Sequence, residues 1–256
     1  MAVPTTQETA SSAVTIDALL QRAAQYLPED RLGIIRDAFE FARECHEGQL
    51  RKTGDPYITH PVAVAELVAN LELDHLALAA ALLHDVQEDC GIPNEVLAEK
   101  FGARVARLVD GLTKLDKLPM NVGTIDPARG TMQAQNLRKM FLAMAEDISV
   151  VLIKLCDRLH NMRTLWAFPP EKQKRTALEP QEIFAPLANR LGVWQIKWEL
   201  EDLAFRYLEP EKYREIAELL ASKRATRESV IAEASEVLRE HLEAAGIHAE
   251  ITGRAK

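Results

Sequence analysis

H-L-A-L-A-A-A-L-L-H-D-V-Q-E-D, residues His75 to Asp89, is the stretch that decides the fold. Every position from Leu76 to Leu83 is apolar, so a helix here has no face made for water. The spacing predicts a central, fully surrounded helix over His75–Gln87 that ends in polar groups: His84, Asp85, Glu88 and Asp89. A second helix of this kind is predicted at Ile148–Asn161, where Val150, Val151, Leu152, Ile153 and Leu155 are apolar on every side. It too turns polar toward its far end, with Asp157, Arg158, His160 and Asn161. Helices with no solvent face need other helices around them. A chain that is 47% hydrophobic but only 5% aromatic supplies these from Ala and Leu rather than as a β-sandwich. The expected fold class is all-α.

Working outward, helices are expected at Ile16–Tyr26, at Arg31–Glu47 with Leu32, Ile35, Ala38, Phe39 and Ala42 on one face, and from Pro61 to Asn70. The loop between the last two, Gly48 to Pro61, carries Arg51, Lys52, Thr53, Gly54, Asp55, Pro56 and Tyr57; two cations on a tight turn make a candidate anion contact. Downstream, Asn94–Phe101 and Ala103–Lys114 read as helices. Asp116–Gly130, with Pro119, Gly123, Pro127 and Gly130, reads as a long loop of the kind that serves as a lid or switch. Helical spacing resumes at Gln133–Glu146. Pro169, Pro170 and Pro180 punctuate the chain before helices at Pro186–Gly192 and Val193–Tyr207. Pro210 to Ala245 is amphipathic and highly charged, and His248–Thr252 alternates like the start of a strand.

At 256 residues the chain is long enough for one main domain plus an appendage. The formal net charge of -8 argues against DNA or general nucleic-acid binding, which needs a basic surface, so a polyanionic substrate would require local positive charge or a metal. Cys45, Cys90 and Cys156 have no CxxC spacing and are expected to be buried free thiols. The opening residues, Thr-, Ser- and Ala-rich, contain no cationic segment followed by an apolar one and read as disordered over 1–15. The longest apolar run, Leu76–Leu83, is too short for a bilayer, so a soluble, cytoplasmic protein with no membrane partner is expected.

Charged groups at the ends of apolar helices are costly to desolvate unless something compensates them, and a divalent cation does so economically. On a continuous helix Asp85, Glu88 and Asp89 fall within a sector of roughly 100°, and His84 neighbours Glu88 at i, i+4. Carboxylates so close repel one another unless a cation sits among them. Mixed imidazole and carboxylate donors suit Mn²⁺, Fe²⁺, Co²⁺ or Zn²⁺. His60, at the start of the preceding helix, and Asp157 complete a two-His, two-Asp set, with Glu88 or Asp89 left to orient or deprotonate a water. Taken singly, each signal has a bland reading: His60 as a helix-capping or surface histidine, Asp157 as a salt-bridge partner of Arg158 or Arg163.

In this order, these residues resemble the hydrolase domain of the RelA/SpoT homologues. The resemblance is carried by R-K-T-G-D-P-Y-I-T-H (Arg51–His60), L-L-H-D-V-Q-E-D (Leu82–Asp89), V-D-G-L-T-K-L (Val109–Leu115), N-L-R-K-M (Asn136–Met140), L-C-D-R-L-H-N-M-R-T-L (Leu155–Leu165) and A-P-L-A-N-R-L-G (Ala185–Gly192). It runs from about residue 15 to the end and implies an HD-domain helical bundle over 16–207, with a helical connector over 208–256. It further implies Mn²⁺ held by His60, His84, Asp85 and Asp157, and water activated by Glu88 and Asp89. Arg51, Lys52 and Thr53 would lie at the guanine and phosphates, and Asn161 and Thr164 around the ribose and 5′ side. Gln87 and Cys90 depart from the commoner residues of that family, and neither is a ligand. The final Gly253-Arg254-Ala255-Lys256 resembles only the opening of a synthetase domain, so the chain is similar to the amino-terminal portion of a bifunctional enzyme with further synthetase and regulatory domains.

The implied activity is hydrolysis of the 3′-pyrophosphate of guanosine tetra- and pentaphosphate, (p)ppGpp, to GDP or GTP and pyrophosphate. Two other readings compete with it: an HD-type phosphohydrolase of a different nucleotide, and a regulatory module that binds nucleotide without turning it over.

Overall fold

The structure, a computed structural model, describes residues 16–116 and 147–244. Among them there is no β-strand, only an isolated antiparallel bridge between Leu50 and Pro56, and the fold is all-α as expected. No helix among them is long and apolar enough to cross a membrane. The expectations of a disordered opening over 1–15, a loop over Asp116–Gly130 (past its first residue), a helix at Gln133–Glu146 and the start of a strand at His248–Thr252 fall outside the described residues.

Chain packing divides the molecule at Ala204/Phe205 into two compact units. The first contains α1 (Ile16–Ala23), α2 (Gly33–Cys45), α3 (Thr59–Asn70), α4 (His75–Leu82), α5 (Val86–Asp89), α6 (Asn94–Phe101) and α7 (Ala103–Asp116). It continues through α8 (Ile148–Arg163), α9 (Pro170–Glu179), a π-helical turn at Pro180–Phe184, α10 (Ala185–Arg190) and the start of α11 (Trp194–Leu208). The second unit holds the end of α11 and α12 (Pro210–Ala244), a helix of 35 residues that leaves Leu219, Leu220, Val237 and Leu238 exposed.

Helix α4 is the centre of the first unit. Ala77 to Leu83 are all fully buried, because α2, α3 and α7 pack around them. Helix α8 lies against α3 and α7, with Ile153, Leu155 and Cys156 fully buried. Gly111 permits the α7–α8 approach: a Cβ there would stand 3.1 Å from Val150 Cγ2. Asp74 caps α4 by accepting from the Ala77 amide, and Asp147 caps α8 by accepting from the Ser149 amide, each at 2.9 Å. Arg104 donates to both carboxylates and so ties together the starting ends of the two most buried helices.

One expectation needs correction. His75–Gln87 is not a single helix: α4 stops at Leu82, His84 and Asp85 lie in a turn, and α5 begins at Val86. The cause is local. His84 Nδ1 donates to the Ala81 carbonyl at 2.8 Å, the acceptor that a continuing helix would give to the Asp85 amide. The Val86 amide instead bonds back to the Leu83 carbonyl in a tighter turn. The cysteines differ from expectation too. All three are free, but only Cys156 is buried, while Cys45 and Cys90 are half-buried.

Candidate metal centre

Four side chains from three parts of the first unit converge. His60 sits in the first turn of α3, His84 and Asp85 in the break between α4 and α5, and Asp157 on α8. His60 Nε2 lies 3.2 Å from Asp157 Oδ1 and 3.6 Å from Asp85 Oδ2. His84 Nε2 lies 3.1 Å from Asp85 Oδ2 and 3.9 Å from Asp157 Oδ1. Donor atoms of His60, His84 and Asp157 all fall within 4.8 Å of one another. The two imidazoles and Asp157 are almost wholly buried, and among the described residues His84 Nε2 has no hydrogen-bond partner. An orphaned buried nitrogen facing two carboxylates and a second imidazole nitrogen fits a divalent cation, whose charge and coordination would satisfy all four donors.

The outer faces of these donors are all engaged. Lys154, buried in α8, donates to Asp157 Oδ2 at 2.7 Å, and Asn161 Nδ2 donates to Oδ1 at 2.7 Å. The Tyr57 hydroxyl donates to Asp85 Oδ2 at 2.8 Å. His60 Nδ1 lies 2.8 Å from His160 Nδ1. Such outer contacts fix ring and carboxylate orientations before any ligand arrives.

The electrostatics agree with this arrangement. Burial opposes ionisation of Asp157, but the Lys154 ammonium with His60 and His84 holds its carboxyl well below the usual range. Burial also opposes charge on His84, yet Asp85 and Asp157 outweigh it and push the imidazole up to about 9. His60 is shifted down, chiefly by burial, and burial with His60 and Arg51 pushes His160 down as well. A lone proton on His84 therefore takes the place of positive charge between the carboxylates.

Beside this cluster lies a cavity of about 330 Å³, a volume suited to a small molecule. Arg51, Lys52, Thr53, Asn161 and Thr164 all line it, joined by Tyr57, Arg158, Phe168 and Lys172. The loop is closed by Arg51 N to Asp55 O at 2.9 Å and by Gly54, whose φ of +95° an L side chain rarely adopts. Arg51 Nη2 donates to Asn161 Oδ1 at 3.2 Å and to Thr164 Oγ1 at 3.3 Å. Asn161 thus bridges the cavity's guanidinium and the Asp157 carboxylate.

Glu88 and Asp89 lie on the one-turn α5, exposed, and outside the group of four. Their placement comes from the helix break and not from the shared helical face expected from the sequence. Asp89 reaches the Tyr57 hydroxyl, which burial together with Asp85 and Asp89 holds far above the ordinary tyrosine range. Sequence alone assigned no site role to Lys154, His160, Phe168 or Lys172, named Tyr57 only as part of the loop, and gave Arg158 only the part of a salt-bridge partner for Asp157. A signal existed for Lys154, one cation in the otherwise apolar run Val150–Cys156 and three residues before Asp157, for which the bland alternative to metal binding was a salt bridge with Arg158 or Arg163. Arg158 pairs instead with Glu179, and Arg163 with Glu199.

Comparison with known proteins adds three likenesses and a family. The HD domain family matches residues 38–194. The chain is 52% identical over 224 residues to the probable guanosine-3′,5′-bis(diphosphate) 3′-pyrophosphohydrolase of Synechocystis sp., covering 87% of this chain and 29% of that protein. It is 46% identical over 240 residues to the bifunctional (p)ppGpp synthase/hydrolase SpoT of Escherichia coli, covering 94% of this chain and 33% of that one. It is also 47% identical over 232 residues to the probable GTP pyrophosphokinase of Mycobacterium leprae, covering 91% and 28%. The chain spans about a third of the length of these curated relatives.

Proposed function

Because this chain belongs to the HD domain family, we propose that it is a manganese-dependent guanosine-3′,5′-bis(diphosphate) 3′-pyrophosphohydrolase, converting (p)ppGpp and water to GDP or GTP and pyrophosphate. The observation that carries this reading is the orphaned His84 Nε2, set among His60, Asp85 and Asp157 and next to a cavity with four cationic side chains. Mixed imidazole and carboxylate donors favour a borderline ion such as Mn²⁺ over Mg²⁺. Once bound, the ion supplies Lewis acidity at the 3′-phosphate and a lowered pKa for water.

The remaining work falls to the chain's own residues. Arg51 and Lys52 bind the nucleotide's negative charge, with Thr53 beside them, and Asn161 and Thr164 fix the ribose side. Glu88 and Asp89, exposed on α5, orient the water and take one of its protons as its oxygen attacks phosphorus; the bond to the 3′ oxygen breaks, and that oxygen leaves as the ribose hydroxyl with a proton drawn from solvent. The chain's acidic balance is compatible with a polyanionic substrate because the attraction is confined to this cavity. Relatives named as hydrolase, as pyrophosphokinase and as both support a setting within a longer synthetase/hydrolase with regulatory domains. A guanosine polyphosphate is a cytoplasmic substrate, so the cytoplasm is the proposed location. Incubation of the purified protein with ppGpp, with and without Mn²⁺, tests the reading. Manganese-dependent release of pyrophosphate and GDP is expected; release of orthophosphate, or no turnover, overturns it.

A further inference from the structure

A histidine that gives its Nε2 lone pair to a cation must carry its proton on Nδ1, and something must accept a hydrogen bond from that proton. For His84 the acceptor is the Ala81 carbonyl, 2.8 Å from Nδ1. A backbone carbonyl can only accept, so the tautomer of His84 is decided by the main chain. Among the described residues His60 has no such carbonyl. Its Nδ1 faces the Nδ1 of His160 at 2.8 Å, with ring centroids 4.8 Å apart and planes tilted by 42°. Two ring nitrogens at this distance share one proton, so one ring donates and the other accepts.

The two possibilities have opposite consequences. If His160 donated, His60 would hold its proton on Nε2, directed at Asp157 Oδ1 only 3.2 Å away, and the lone pair would be lost to the centre. If His160 accepts, His60 presents a bare Nε2 beside that of His84. Helix α8 carries His160 one turn beyond Asp157, so the same rigid element delivers one ligand and the partner that orients another. We propose that His160 is a positioning residue that fixes His60 in the Nδ1-protonated tautomer, and that the centre is assembled for a cation only while His160 offers an acceptor at its Nδ1 position. This rests on the metal reading given above, but concerns a residue with no contact to the cation.

Two variants of the full chain separate an acceptor from a mere space-filler. His160→Asn puts Oδ1 where Nδ1 stood, while His160→Leu keeps comparable bulk and removes the acceptor. Electron paramagnetic resonance of free Mn²⁺ is expected to show affinity falling about 10- to 100-fold for His160→Leu and by no more than about threefold for His160→Asn. Long-range ¹H–¹⁵N spectra of the metal-free wild type, which need no variant to fold, are expected to place the His60 proton on Nδ1 and the His160 proton on Nε2. A proton on His60 Nε2, or a His160→Leu variant that binds Mn²⁺ as tightly as wild type, overturns the role of His160 while leaving the metal reading intact. A wild type that fails to bind Mn²⁺ overturns both.

Discussion

The metal centre predicts a specific dependence of cation uptake on pH. In the metal-free protein His84 titrates at about 9, because Asp85 and Asp157 outweigh its burial. His60 is shifted down and is neutral at pH 7, while Asp157 is ionised well below its ordinary range. Loading a cation at neutral pH therefore displaces one proton, from His84, and no other donor contributes. A competing proton lowers apparent affinity tenfold for each pH unit below its pKa, so the affinity for Mn²⁺ should rise by roughly 100-fold between about pH 6.5 and pH 8.5. Isothermal titration of the full chain with Mn²⁺, repeated in buffers of different ionisation enthalpy, measures both quantities. Near pH 7 the binding heat should vary with buffer as expected for release of about one proton. A flat affinity over this range, or buffer-independent heats, refutes the reasoning; release of two protons would mean that His60 also carries charge.

Further predictions follow from the same geometry. Asp85→Ala removes a converging oxygen and should abolish Mn²⁺ binding and turnover together, whereas Glu88→Ala, at an exposed position outside the four, should abolish turnover with binding retained, as read by titration and pyrophosphate release. Lys154→Met leaves the buried Asp157 carboxylate without its 2.7 Å partner, which should cost roughly 3 kcal/mol in the metal-free protein. Calorimetric Tm should fall by about 10 °C and recover substantially when Mn²⁺ is added; an unchanged metal-free Tm contradicts the role given to Lys154. Arg51→Ala removes a cavity cation that bonds Asn161 and Thr164, and should raise KM for ppGpp about tenfold or more while Mn²⁺ affinity stays within a few-fold.

The all-α fold was legible because two apolar segments, Leu76–Leu83 and Val150–Ile153, leave helix-on-helix packing as the way to bury them. The four converging side chains were legible as residue types at helix ends. Their gathering into one two-His, two-Asp set was legible too; the placement of Glu88 and Asp89 was not, because helical spacing puts Glu88 and His84 on one continuous helix. Periodicity cannot register a break caused by a side chain taking the carbonyl that the next amide would have used, as His84 does with Ala81. The sequence does not single out His160, since a histidine that orients another is identical in one dimension to one that does nothing. The π-helical turn at Pro180–Phe184 was likewise visible only as punctuation by prolines.

Charge balance links the centre to its cavity. Within the cluster, Asp85 and Asp157 contribute two negative charges, and Lys154 with a proton on His84 contributes two positive ones, so the metal-free cluster is close to neutral. Replacing that proton with a divalent cation leaves the cluster one unit positive, a few ångströms from Asn161 and the Arg51 guanidinium it accepts from. In a partly desolvated cavity this added charge should matter more than it would in water. Cation and polyphosphate are therefore expected to bind in favourable order. The affinity for a non-hydrolysed guanosine polyphosphate, measured by titration of the Glu88→Ala protein, should be at least about tenfold greater with Mn²⁺ than without. Equal affinities would mean that Arg51, Lys52, Arg158 and Lys172 alone hold the nucleotide, and that the two sites, though adjacent, are energetically independent.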